Sequence, residues 1–128
     1  MKVIIAGGRD FQSYATLKGS FYEFLKEQKE DFLDKSLSDT LSDIEIVSGC
    51  ARGADSVGEL FASRRGLPIK RFPADWKQHG KSAGYLRNKE MAEYANGLLA
   101  FWDGKSRGTK HMIDTAKKKG LDVKVVMY

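Results

Sequence analysis

The sequence is poor in the residues that build cross-links and metal sites. Cys50 is its single cysteine, so no disulfide can form within the chain and no multi-cysteine metal site is available. The two histidines, His79 and His111, have no His or Cys partner at the spacing that a metal ion requires. We therefore expect no bound metal ion, and the reducing cytoplasm as the default location.

A long apolar run is also missing. No run approaches the roughly 20 residues that cross a bilayer, and the apolar start at residues 3–6 is too short for a signal peptide. The 128 residues, 41% hydrophobic and 30% charged, are ordinary for one soluble globular domain, which we expect to span residues 1–128. The net charge of +5 favours anionic partners but does not require nucleic acid, and no membrane partner is expected.

Strand-like and helix-like patterns alternate along the chain. Short apolar runs predict strands at residues 2–6, 45–48, 69–72, 98–102 and 123–127, and helical spacing predicts helices at 14–28, 54–65, 85–95 and 109–119. The third of these helices is expected to end at a capping pair, Asn96-Gly97. Residues 27–43 predict either an extension of the first helix or a short second helix. The alternation predicts an α/β fold, a Rossmann-like doubly wound domain with a mainly parallel sheet of about five strands and helices on both faces.

Glycine-rich turns follow three of the predicted strands, and each turn opens a helix. We name them the first turn (Gly7–Asp10), the second turn (Ser48–Asp55) and the third turn (Asp103–Thr109). In a parallel sheet such turns lie on one edge, beyond the carboxyl ends of the strands, where open sheets bind ligands. Glycine permits positive φ and a close backbone approach, so N–H groups are free to point at a ligand.

The third turn has the composition of a phosphate site. Gly104 and Gly108 accompany the hydroxyls of Ser106 and Thr109 at a helix start, where unpaired N–H groups and the helix dipole favour an anion. The alternative is that such glycines only make tight connections between strand and helix. Three turns on one edge favour binding. None of them matches the P-loop or a dinucleotide fingerprint, so a classical kinase or dehydrogenase is disfavoured.

A polar segment, Ala74–Asn88, is predicted as a long loop of the kind that often forms a functional lid. Within it, Trp76 is either a stacking surface for a base or a ring that covers the core. Arg87 and Asn88 either hold a phosphate or ribose hydroxyls, or Arg87 forms a surface salt bridge. Cys50 is expected to be a small buried residue rather than a thiol nucleophile.

Taken together, these motifs resemble the SLOG superfamily, most closely its small single-domain branch related to YspA and YpsA, which is frequent in bacterial and phage genomes. The resemblance is carried by Ile5–Phe11, Val47–Asp55, Pro73–Trp76, Gly84–Ala92 and Phe101–Thr109, so it covers essentially the whole chain. It implies a Rossmann-like fold and a nucleotide-derived ligand, such as a relative of ADP-ribose. More distant members are the lonely-guy phosphoribohydrolases, which cleave the N-glycosidic bond of nucleoside monophosphates, and DNA-processing protein A, which binds single-stranded DNA.

By this resemblance, the third turn corresponds to the phosphate-binding glycine-threonine motif of the lonely-guy enzymes, and Arg87 to their helical arginine. Those enzymes carry a glutamate three residues after the threonine, where this sequence has Met112. A carboxylate that stabilises charge on the ribose or activates water is therefore missing from its place. Asp114 or Glu90 would have to substitute. A second departure is Cys50, which stands where a glycine-like residue is expected.

We expect the protein to bind a nucleotide or nucleotide-derived ligand at this edge of the sheet, as a sensor or a sequestering module. One alternative is a hydrolase of the nucleotide N-glycosidic bond, with Asp55, Glu90 or Asp103 as the acidic group. A second alternative is single-stranded nucleic-acid binding, and a homo-oligomer could complete the site. No cofactor is certain beyond the nucleotide or nucleotide-sugar ligand. The predicted ligand-binding residues are Gly7, Gly8, Arg9, Asp10, Gly49, Arg52, Gly53, Asp55, Trp76, Arg87, Asn88, Asp103, Gly104, Ser106, Gly108 and Thr109.

Overall fold

The computed structural model describes residues 1–28 and 43–128. Strands and helices alternate along these residues, and none of the described helices is long and apolar enough to cross a membrane. The alternatives expected for residues 27–43, an extension of the first helix or a short second helix, lie outside the described residues except for residues 27, 28 and 43. The elements are β1 (Lys2–Gly7), α1 (Tyr14–Gln28), β2 (Glu45–Ser48), α2 (Ala54–Arg65), β3 (Ile69–Arg71), α3 (Trp76–His79), a 3-10 turn (Gly80–Ser82), α4 (Ala83–Tyr94), β4 (Gly97–Trp102), α5 (Arg107–Lys118) and β5 (Asp122–Met127).

The strands form one parallel sheet in the order β3-β2-β1-β4-β5. The chain builds outward from β1 through β2 to β3, and then returns to the other side of β1 with β4 and β5. The order therefore reverses between β1 and β4, which is the switch point where open α/β sheets bind ligands. The first, second and third turns follow β1, β2 and β4, so all three lie at the carboxyl edge. The predicted Rossmann-like α/β fold is confirmed.

Helices cover both faces of the sheet, and β1 shows this in its alternating contacts. Val3 and Ile5 pack into one apolar cluster, whereas Ile4 and Ala6 pack into another on the opposite face. A strand buried on both sides needs this continuous apolar run, because successive side chains point to opposite faces. The first cluster receives α1 and α2 through Leu17, Phe21, Phe24 and Phe61, and the second receives α4 and α5 through Met91, Ala92, Met112 and Ile113.

The predicted capping pair Asn96-Gly97 is wrong. Helix α4 ends at Tyr94, and Ala95 already has an extended backbone. Asn96 instead accepts a hydrogen bond from the backbone amide of Lys2 at 2.7 Å through its side-chain oxygen. Gly97 begins β4, where a Cβ would lie 2.8 Å from the Phe24 ring. A close contact with α1 therefore accounts for this glycine.

The segment predicted as a long loop, Ala74–Asn88, is mostly helical. The Asp75 carboxylate accepts a hydrogen bond from the Gln78 amide at 3.1 Å and caps α3, and α4 already begins at Ala83. Helix α3 buries none of its residues. Its polar composition therefore gave no apolar periodicity from which a helix could be predicted.

The first and second turns touch each other through Gly53. Its backbone lies in the left-handed region, with φ of 79°, and a Cβ there would lie 2.1 Å from the carbonyl oxygen of Gly8. The next amide, of Ala54, donates a hydrogen bond to the same carbonyl at 3.2 Å. Only glycine supplies both this backbone conformation and this space. Gly53 thus sets the distance between the two turns.

Replacing Gly53 by Ala should destabilise the fold more than replacing Gly66, which also has a left-handed backbone but, among the described residues, has no neighbour within 4 Å of a Cβ. We expect Gly66→Ala to cost about 1 kcal/mol, the price of the backbone conformation alone. Gly53→Ala should cost at least about 3 kcal/mol, because the clash with Gly8 adds to it. Urea unfolding of both variants measures the difference. If both variants lose the same free energy of unfolding, the first and second turns are not held in contact.

Candidate functional site

A cavity of about 510 Å³ lies beyond the carboxyl ends of β1 and β4. The structure brings most of the predicted ligand-binding residues together around it, although the chain separates them widely. Gly49 and Arg52 instead line an adjoining cavity of about 320 Å³. Gly53 and Gly104 line neither cavity. The predicted residues that line the larger cavity are Gly7, Gly8, Arg9, Asp10, Asp55, Trp76, Arg87, Asn88, Asp103, Ser106, Gly108 and Thr109.

The third turn fills part of its own anion site. The Asp103 carboxylate accepts hydrogen bonds from the amides of Lys105 and Ser106, both at 2.8 Å, and these bonds lower the pKa of Asp103. Ser106 caps α5 by accepting a hydrogen bond from the Thr109 amide. Among the described residues, no acceptor meets the amides of Arg107 and Gly108. The donors left for an anion are therefore fewer than the composition predicts, and they lie at the first residues of α5.

The buried Asp55 side chain stabilises the second turn through a hydrogen bond to its backbone. Its side chain is 5% exposed and accepts a hydrogen bond from the Ala51 amide at 3.2 Å. Burial raises the pKa of Asp55 to about 6, against the lowering effects of the Ala51 amide and the charge of Arg87. Desolvation outweighs both because a carboxylate loses most of its hydration in such a place. Asp55 is thus a buried carboxyl group that titrates just below neutral pH.

Arg87 and Asn88 connect the second and third turns. The Arg87 guanidinium donates to the carbonyl oxygen of Gly49 and, through Nε, to the side-chain oxygen of Asn88 at 3.2 Å. Asn88 in turn donates to the carbonyl oxygen of Gly108 at 3.3 Å. Among the described residues, Arg87 does not form the surface salt bridge that is one of the two alternatives expected from the sequence. Its guanidinium is fixed by backbone and amide oxygens while it still faces both cavities.

Trp76 does not cover the core. Its side chain is 54% exposed and lines both cavities, which leaves a ring face available for stacking. Tyr85, on α4, also lines the larger cavity and packs against His111 with ring centroids 4.4 Å apart. The predicted site omitted Tyr85 and Lys81. Both lie in the segment predicted as a lid, so their position near Trp76 was the available signal.

Cys50 is exposed, so the expectation of a buried cysteine is wrong. Its backbone lies in the left-handed region, with φ of 65°, which explains why a glycine-like residue is expected at this position. Partial desolvation and the nearby Glu59 carboxylate raise the pKa of the thiol. A raised pKa disfavours the thiolate, so Cys50 is not an activated nucleophile.

The candidate acidic groups differ in their access to the cavity. Met112, at the position of the expected glutamate, is 1% exposed and belongs to the core. Asp114 forms an exposed ion pair with Lys110 at 2.7 Å, and Glu90 is exposed and lines neither cavity. Asp55 and Asp103 do line the larger cavity. Within residues 1–28 and 43–128, no three His, Cys, Asp or Glu side chains gather as a metal site.

Known proteins resemble this chain over its first part. The model of the family described as YAcAr, the YspA, cpYpsA-related SLOG family, matches residues 1–79. The chain belongs to this family. The match to the SLOG family contains the first and second turns and Trp76, whereas the third turn lies beyond it. The chain is also similar to the Gene 61 protein of Mycobacterium phage D29, with 42% identity over 84 residues that cover 61% of this chain and 67% of that protein. No solved structure matches the chain significantly.

The titration of Asp55 should appear in the pH dependence of stability. Because its pKa is raised to about 6 in the folded state, the folded protein holds this proton more tightly than the unfolded chain, and ionisation of Asp55 destabilises the fold as the pH rises from 4 to 7. Asp55→Asn removes this effect. The free energy of unfolding of the variant, relative to that of the unaltered protein, should therefore rise by on the order of 2 kcal/mol from pH 4 to pH 7. Urea unfolding at both pH values measures this change. A difference that stays constant or shrinks with pH would contradict the assignment.

Cys50→Gly should stabilise the protein by about 0.5–1 kcal/mol, because the left-handed backbone costs a non-glycine residue more than the added freedom of glycine costs the fold. Cys50→Ala keeps the unfavourable backbone and serves as the control, with an expected change below about 0.5 kcal/mol. Thermal and urea unfolding measure both. Equal stabilities of the two variants would show that residue 50 carries no backbone strain.

Proposed function

We propose that the larger cavity binds a nucleotide or a nucleotide-derived ligand. The observation that carries this proposal is the meeting of three glycine-rich turns, an exposed indole ring and an arginine around one cavity at the switch point of the sheet. A volume of about 510 Å³ is within the usual range for small-molecule sites. Membership of the SLOG family supports a nucleotide-related function.

The lining divides into groups that suit the parts of a nucleotide. A phosphate would meet the amide of Gly108 and the hydroxyl of Thr109, which line the cavity at the start of α5, where the helix dipole adds to the attraction. A base would stack on Trp76, since aromatic rings accept any base face. The carboxylate of Asp10 lines the same cavity and would accept hydrogen bonds from ribose hydroxyls.

We favour binding over hydrolysis because the glutamate of the lonely-guy enzymes is replaced by the buried Met112. The hydrolase alternative now depends on Asp55. This residue lines the cavity, and its pKa of about 6 suits a general acid. Its carboxylate is nevertheless tied to the Ala51 amide. Asp103 fits less well, because its hydrogen bonds to amides lower its pKa.

The proposal is tested by the melting temperature of the protein with nucleoside monophosphates, NAD and ADP-ribose. At least one of these compounds should raise it, because a ligand that binds only the folded state stabilises that state. Trp76→Ala should weaken the binding of that compound about tenfold through lost stacking. Leu60→Ala is the matched control, since Leu60 is 44% exposed and lines neither cavity.

The same mixtures, analysed by chromatography, separate binding from hydrolysis. Intact nucleotide after incubation agrees with a binding module. Release of free base that is abolished by Asp55→Asn would replace that proposal with the hydrolase. If none of the compounds changes the melting temperature and none is cleaved, the nucleotide site itself is refuted.

A further inference from the structure

The adjoining cavity of about 320 Å³ carries a charge distribution of its own. We call it the arginine cavity, because Arg9, Arg52 and Arg87 line it together with Cys50 and Trp76. Three of these residues, Arg9, Trp76 and Arg87, also line the larger cavity. The two cavities are therefore neighbouring parts of one cleft, divided by the Trp76 ring and the guanidinium groups.

The two cavities differ in the formal charge of the residues that line them. The larger cavity places three carboxylates, Asp10, Asp55 and Asp103, against its basic residues, so its formal charge is balanced. Among residues 1–28 and 43–128, no aspartate or glutamate lines the arginine cavity. The arginine cavity therefore offers an anion three guanidinium groups, and the Glu59 carboxylate near Cys50 is the opposing charge.

The arginines are also available for a ligand. Arg9 and Arg52 are exposed, and among the described residues neither has a carboxylate within ion-pair distance. Arg87 is held in place by two neutral oxygens, those of Gly49 and Asn88, and so keeps its charge facing the cleft. Guanidinium groups bind phosphate through paired, charge-assisted hydrogen bonds. Three guanidinium groups that line one cavity suit a doubly charged oxyanion.

We propose that the arginine cavity is a second anion subsite, distinct from the amides at the start of α5. This inference rests on the proposed function, and it narrows the ligand class. The ligand is a nucleotide that carries another phosphate group, remote from the one held at α5, and reaches from the larger cavity past Trp76 into the arginine cavity. A nucleoside monophosphate alone would fill only part of the cleft.

The test uses inorganic phosphate and backbone amide NMR of the folded protein at constant ionic strength. Phosphate should shift the signals of Cys50, Ala51 and Arg52 and the Trp76 indole. Arg52→Gln should weaken this binding about fivefold to tenfold, because Arg52 lines only the arginine cavity. Lys77→Gln is the control. It removes the same charge from neighbouring α3, lines neither cavity, and should leave the dissociation constant within twofold.

Each outcome decides the proposal. Shifts around the second turn that Arg52→Gln weakens and Lys77→Gln does not would support it. Equal weakening by both variants would overturn it, since a general field and not a site would then attract phosphate. Shifts confined to Gly108 and Thr109 would overturn the second subsite and leave the nucleotide site intact. A complete absence of shifts would also overturn it, while the nucleotide melting experiments would still judge the proposed function separately.

Discussion

The contact between the first and second turns governs the geometry of the candidate site. The Gly8 carbonyl accepts the Ala54 amide at 3.2 Å, and Gly53 leaves no room for a side chain between them. This contact fixes where β1 and β2 deliver their turns. It also sets the start of α2, and with it the position of Asp55. Arg87 and Asn88 then extend the connection to the Gly108 carbonyl, so hydrogen bonds join the three turns into one rim around the cleft.

The charge within that rim is arranged by pairing and burial. Asp103 occupies the amides of its own turn, and Asp55 lies buried beneath the second turn. Both carboxylates accept hydrogen bonds from backbone amides. They therefore stabilise the turns whether or not a ligand is bound. In the described part of the chain, Arg9 and Arg52 have no carboxylate within ion-pair distance, and Arg87 is held by the oxygens of Gly49 and Asn88. A cleft with fixed acids and free guanidinium groups is suited to recognition of an anion.

The sequence predicted the fold well, because its strands are short continuous apolar runs and its helices carry clear apolar spacing. Helix α2 was predicted with its observed ends, since Gly66 and Pro68 mark its stop. The predictions from the sequence are wrong where contacts between distant residues determine the local structure. The sequence predicts Gly97 as part of a helix cap, although its small size allows the approach of Phe24. Helix α3 escaped prediction because none of its residues is buried.

The sequence predicts the candidate site as a set of turns on one edge of the sheet. It does not predict which contacts the individual side chains of these turns make. No pattern shows that Asp103 would fill its own turn, that Arg87 would bind the Gly49 carbonyl, or that Arg52 would face a separate cavity. These depend on distances between residues far apart in the chain. The most direct measurement of the central claim is a crystal structure of the protein with the nucleotide that stabilises it most. We predict electron density for the base against Trp76 and for a phosphate within the cleft. Density for the nucleotide elsewhere, with an empty cleft, would contradict the account.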